Sequence, residues 1–384
     1  MNIQKSHEIS SHLTRYAYID SLRGLAVIGV LLAHVSHYSN IVYPSWLQIL
    51  TAADVGPRGV QLFYVVSAFT LCLSFSNRKS MEKHVLRNFY IRRFFRIAPL
   101  FYLAILYYLW QQNYWSDNPQ HFSLLNILST FTFINGVSSD WINNVVFGGW
   151  SIAIEVTFYL LFPLLYYKLK SFRFALLTTV IVAIAMQLLR LYLLSFPAIH
   201  QSPDFQTYTF EFFPSQLPIF LIGMTTFLFM HEDISKEKKY QLKWYVVGGG
   251  LLLIAQALLP IKLIAGHYIY GIIFGILLFT LSKYPHKLLV NLVTVYMGKI
   301  SFSLYLCHMA VYYWLTQLGL NHYLPINPYL NFGIRFILLT FLSSLIASML
   351  YFTVEKGGII LGKKIINKHE KVTPKYISST ARTW

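Results

Sequence analysis

The chain has 384 residues, 56% of them apolar and only 12% charged, with a formal net charge of +17. Soluble domains carry about 25% charged residues, so this composition excludes an ordinary soluble protein and indicates an integral membrane one. Its two cysteines, Cys72 and Cys307, both lie within apolar stretches and imply no disulfide framework.

In chain order, stretches of close to 20 apolar residues occupy 22–39, 59–76, 97–113, 148–167, 174–196, 211–230, 244–260, 263–281, 289–318 and 329–353. Residues 122–135 are apolar as well, but the stretch is short and interrupted by Asn126, Ser129 and Thr130, which suits a re-entrant or interfacial helix. The expected fold is therefore all-α: a polytopic membrane helix bundle of about ten transmembrane helices plus that short helix. Residues 1–14 read as an N-terminal tail, 15–362 as one membrane domain and 363–384 as a basic C-terminal tail. The first 21 residues lack the apolar core of a cleavable signal, so the first span is expected to serve as the anchor.

Charge placement sets the orientation. With both termini cytoplasmic, only Arg58, Arg190, Lys262 and Arg335 of the 31 basic residues fall on the outer side. Making 122–135 a full span would move Lys168, Lys170 and Arg173 outside and spoil this bias. The basic residues then face an anionic leaflet, and the net charge requires no nucleic acid. No internal repeat is evident, which tells against the duplicated architectures common in transporters.

Arg23 and His34 interrupt the first span, where an ionisable side chain costs about 2.5–3.5 kcal/mol at the bilayer centre. Eleven residues apart, they leave one helix face with roughly 20° of drift, about 16 Å apart in depth. A bound anionic molecule reaching inward fits this stripe; so does a snorkelling arginine above a packed histidine. Further on, Arg93 and Arg96 share a face just before Pro99, which suits the first turn of a span. Two guanidinium groups there make a clamp for phosphate oxygens, although anionic headgroups would explain the charge equally well.

Glu155 lies one to two turns inside its span, with Ser151 and Tyr159 at four-residue spacing and Trp150 just before them. Its carboxyl must be protonated, paired or facing a cavity. Glu155 and His34 both arrive in the outer half of the bilayer, where a carboxylate beside an imidazole would fix its tautomer and raise its basicity. Ser301, Tyr305 and His308 form another polar seam, with His308 open to either a packing or a chemical role. His34 and His37 have no closely spaced His or carboxylate pair beside them, so no metal is expected. Asp20 can pair with Arg23, Glu355-Lys356 closes the last span, and Arg190 and Arg335 are charges in outer half-spans.

These blocks resemble the acyltransferase family 3 membrane proteins: Tyr18-Ile-Asp-Ser-Leu-Arg-Gly-Leu-Ala through His34, Gln61-Leu-Phe-Tyr-Val-Val-Ser-Ala-Phe, Arg93-Phe-Phe-Arg96-Ile-Ala-Pro99, Trp150-Ser-Ile-Ala-Ile-Glu-Val-Thr-Phe-Tyr, Ser301-Phe-Ser-Leu-Tyr-Leu-Cys-His and Glu355-Lys356. They stand in the family's order along nearly the whole chain, with Ala68 where the family often has Gly. The resemblance implies an O-acyltransferase of a bacterial inner membrane. It would move an acyl group, usually acetyl, from cytoplasmic acyl-CoA to a hydroxyl of an extracytoplasmic acceptor, mostly a sugar of a surface polysaccharide or glycolipid. Many relatives carry a fused outer esterase-like domain. This chain shows none, so it would finish the transfer alone or pass the acyl group to a separate extracytoplasmic transferase. On this reading Arg23, Arg93 and Arg96 hold the donor's phosphates, His34 is the general base and Glu155 orients it, with Trp150, Ser151, Tyr305 and His308 in support. Transient acylation of His34 is a variant. A proton-coupled transporter or flippase, with His34 and Glu155 as relay, is the rival. Such a carrier needs no phosphate clamp beside Pro99.

Overall fold

The computed structural model describes residues 16–37, 58–114, 122–143, 145–231, 264–319 and 327–370. Among these residues there are helices and no strands, and seven helices are long and apolar enough to cross a membrane. They account for seven of the expected spans. The expected span 244–260 lies outside the described residues, as do residues 1–14.

In chain order the helices are α1 (Ala17–His37), α2 (Gly59–Lys79), α3 (Val85–Tyr114), α4 (Leu124–Phe131), α5 (Gly149–Lys168), α6 (Phe172–Leu194), α7 (Pro197–His200), α8 (Pro203–Glu211), α9 (Phe213–His231), α10 (Gly266–Lys283), α11 (Leu292–Lys299), α12 (Ser301–Gln317), α13 (Pro328–Leu350) and α14 (Lys356–His369). At eight residues, α4 is about 12 Å long and too short to span, as its interrupting polar residues suggest.

The bundle is apolar outside as well as inside. On α6, Phe174, Leu177, Ile181 and Leu188 are exposed, whereas Ala175, Thr179 and Gln187 are buried, and the Thr179 hydroxyl lies 2.9 Å from that of Thr225 on α9. Such a face would be unstable in water and suits hydrocarbon. Aromatic stacking fills the centre: Phe220 of α9 stacks on Phe158 of α5 at 4.1 Å and on Tyr64 of α2 at 4.3 Å.

Two expected elements are built differently. The expected span 289–318 is two helices, with Ile300 (φ −92°, ψ 6°) leaving helical geometry between α11 and α12. An Asn291–Thr294 capping box starts α11. That short helix lies backbone to backbone on α1: a Cβ added to Gly24 would fall 2.0 Å from the Thr294 carbonyl oxygen, and one added to Gly298 would fall 1.8 Å from that of Asp20. Only glycines permit this approach, which fixes the end of α1 that carries Arg23.

Pro99 does not open a span either. It lies inside α3, one 30-residue helix running from the basic segment into the apolar one. Proline frees the carbonyl four residues back, here Phe95. Gly358 of α14 packs so closely that an added Cβ would sit 2.5 Å from that oxygen. Neighbouring backbone thus shelters the break and the helix continues. The C-terminal helix also runs beyond residue 362: α13 passes through a π-turn at Tyr351–Glu355 into α14, and Glu370 is buried against the start of α3. There its carboxylate accepts from the Lys83 and His84 backbone N–H groups and from the Asn88 amide.

Candidate active site

One polar seam runs through the bundle along α1, from an arginine end to a histidine end. At the arginine end, Arg23 donates to Asp20 (3.2 Å) and to Thr70 of α2 (3.1 Å). Arg93 lies over the rings of Phe89 and Tyr159, 5.8 Å from each centroid. Arg96 is within electrostatic range of Arg23, Arg93 and the Glu355 carboxylate, which accepts from Ser303 at 2.7 Å. The three expected clamp residues are therefore brought together from α1 and α3. Their mutual repulsion is an electrostatic cost that a bound polyanion would relieve.

The basic run that supplies Arg93 and Arg96 divides. Arg92, one residue away, bonds the Glu82 carboxylate with both terminal nitrogens (2.7 and 3.1 Å), and Arg78 reaches the same group at 3.4 Å. Helical geometry turns consecutive residues by about 100°. Arg92 is thereby assigned to scaffold and Arg93 to the seam.

Midway, the Glu155 carboxylate accepts from Ser67 (2.5 Å) and Tyr159 (2.6 Å), both on Oε1, and lies in the field of Arg23. Ser67 is a turn from Thr70, whose hydroxyl bonds the Ser67 carbonyl. Glu155 thus has two hydroxyl donors of its own, Ser67 from α2 and Tyr159 one turn along α5.

The ring facing His34 is that of His308, with centroids 5.0 Å apart. His308 is buried; its Nδ1 lies 2.6 Å from the Tyr305 carbonyl, and its Nε2 has no partner among the described residues. A carbonyl can only accept, so Nδ1 carries the proton and Nε2 keeps a lone pair. Beside the pair, the Tyr305 and Ser151 hydroxyls are 2.8 Å apart, and both reach the Gly148 carbonyl at 3.1 and 3.0 Å. Gly148 has φ +72°, and an added Cβ would lie 2.9 Å from the Tyr305 hydroxyl, so glycine is required for both reasons. Tyr64 donates to the Ser151 carbonyl (3.1 Å) and meets Trp150 edge-on.

The chain matches the family described as an acyltransferase domain over residues 16–352, nearly its whole length. It belongs to the acyltransferase 3 family. No curated protein and no solved structure matches it. Together with its apolar helices, this makes the chain a multi-pass membrane acyltransferase. Among the described residues of this family member, no three His, Cys, Asp or Glu side chains lie together as a metal site. The seam residues that sequence reasoning passed over are Ser67 and Thr70. With Phe63 they form a stripe at helical spacing on α2, a signal masked by small hydroxyls that are common in membrane helices.

Proposed function

We propose that this acyltransferase takes an acyl group, acetyl by preference, from cytoplasmic acyl-CoA and esterifies a hydroxyl of an extracytoplasmic acceptor, a sugar of a surface polysaccharide or glycolipid. The arginine end faces the cytoplasm in this reading, and both termini lie there. The observation that carries it is the seam itself, which joins a three-arginine cluster to an imidazole pair about 16 Å away along α1. Phosphates held by Arg23, Arg93 and Arg96 would leave a pantetheine arm to run past Thr70 and Ser67 toward His34.

There the acceptor oxygen attacks the thioester carbonyl, an imidazole takes its proton, the C–S bond breaks, and the proton is returned to the coenzyme A thiolate. His34 is the base in this scheme. Glu155 orients it and also balances Arg23 along the donor's path; the His308 ring, with its tautomer held by the Tyr305 carbonyl, lies 5.0 Å from that of His34. The Ser151 and Tyr305 hydroxyls, both bonded to the Gly148 carbonyl, hold the wall beside this pair in place.

The test is acyl transfer by the full chain in lipid nanodiscs, supplied with acetyl-CoA and an acceptor-bearing membrane extract. Thioester consumption and new carbohydrate esters are expected, and both are expected to vanish with His34→Ala. Near-normal transfer by His34→Ala and Glu155→Gln alike would end the proposal. Surface glycans unchanged in ester content when the gene is removed would end the acceptor assignment.

A further inference from the structure

Glu211 closes α8 at the histidine end of the bundle and is 8% exposed. Three carboxylates are buried among the described residues: Glu211, Glu355 and Glu370. Glu355 lies in the field of Arg96 and Arg23, and Glu370 takes two backbone N–H groups at a helix start. Glu211 bonds a neutral group instead, the side-chain amide of Asn143, whose nitrogen is 2.5 Å from Oε2. No ion pair to Glu211 forms among the described residues. A carboxylate held out of water with so little compensation is expensive and is expected to serve a ligand.

Its position says which ligand. Glu211 acts electrostatically on the hydroxyls of Tyr305 and Tyr64, the two tyrosines that bracket Ser151. With the neighbouring Phe210 ring against Trp150, this puts Glu211 near the Ser151–Tyr305 end of the seam. The partner Asn143 is exposed and stands five residues before Gly148, so one loop both screens Glu211 and supplies the carbonyl that anchors Tyr305. Next to Glu211, the Phe210 ring lies 6.5 Å from that of Trp150, and the Arg58 guanidinium sits 5.4 Å above Phe210. That cation takes the ring face a cationic acceptor would use and disfavours a second positive charge. A carboxyl group and an amide side by side, flanked by rings, suit a neutral polyhydroxyl molecule, whose O–H groups both donate and accept hydrogen bonds.

We infer that Glu211, oriented by Asn143, binds a hydroxyl of a neutral carbohydrate acceptor and presents it to the His34–His308 pair. This rests on the acyl-transfer reading above. The experiment uses the full chain in nanodiscs with isotope-labelled acetyl-CoA and a graded amount of acceptor-bearing membrane extract. It compares the unaltered protein with Glu211→Gln and Asn143→Ala. Both variants are expected to bind acetyl-CoA as the unaltered chain does and to need roughly tenfold more extract for half-maximal label transfer to carbohydrate, the size of one lost buried hydrogen bond. An unchanged extract requirement in both variants overturns the site, and so does a matching loss of acetyl-CoA affinity. If the unaltered chain consumes no thioester, the underlying acyl-transfer reading fails and the site falls with it, a result seen without any variant.

Discussion

The two ends of the seam solve opposite electrostatic problems. At the arginine end, like charges from α1 and α3 are held close together, with Asp20, Glu155 and Glu355 as partial balance. At the histidine end, Tyr305, Ser151, His308 and Gly148 form a hydrogen-bonded knot of neutral groups, with Glu211 beyond it. An excess of cations suits a polyanion that arrives and leaves, since each contact contributes binding. A neutral, tightly bonded knot suits proton movement, which depends on fixed tautomers and lone pairs more than on net charge. Charge count and chemical role are thus separate properties of one wall.

The division is broken most directly at His308. His308→Ala should lower transfer at least about 100-fold while leaving acetyl-CoA binding intact. Wild-type turnover in that variant would reduce the imidazole pair to packing. Next comes the contrast between two adjacent arginines. Arg93→Ala should weaken acetyl-CoA binding about tenfold, whereas Arg92→Ala should leave binding alone and lower the thermal unfolding temperature by freeing Glu82. Equal effects of the two on equilibrium binding would erase the distinction between clamp and scaffold.

A smaller change tests the knot. Gly148→Ala forces an L side chain to φ +72° against the Tyr305 hydroxyl, at a cost of about 1–2 kcal/mol, and should slow transfer several-fold with donor affinity unchanged. Donor affinity falling in step would show that the knot also shapes the arginine end.

The smallest effect belongs to Glu370, remote from the seam. Burial alone would raise its carboxyl, but the His84 and Lys83 amides and the Asn88 side chain hold it below the usual carboxylate range. A group lowered in the folded state stabilises above its unfolded value, about 4.3 for Glu, and the contribution is lost as pH falls through the folded value. Amide protection relative to the intrinsic exchange rate at the start of α3 and along α14 should therefore be unchanged from pH 8 to 5 and fall in acid below about 4. Glu370→Gln should show faster exchange already at pH 7. Protection that is independent of this residue at both ends of the range would remove the latch.

Composition, span length and the order of its motifs identified a helical membrane protein of this family, because the cost of burying charge in hydrocarbon is paid residue by residue and is visible one residue at a time. Arg23 and His34 could be placed on one face for the same local reason: helical pitch alone fixes their relation. Pro99 and the 289–318 stretch were misleading because the outcome at each depends on a neighbour's backbone, Gly358 on α14 in one case and the α1 surface in the other. The surroundings of His34 and Glu155 were likewise beyond linear reading: only the packing of α2, α5 and α12 brings the His308 ring to that of His34 and Ser67 to Glu155. Local chemistry named the candidates; packing between helices distant in sequence chose which of them touch.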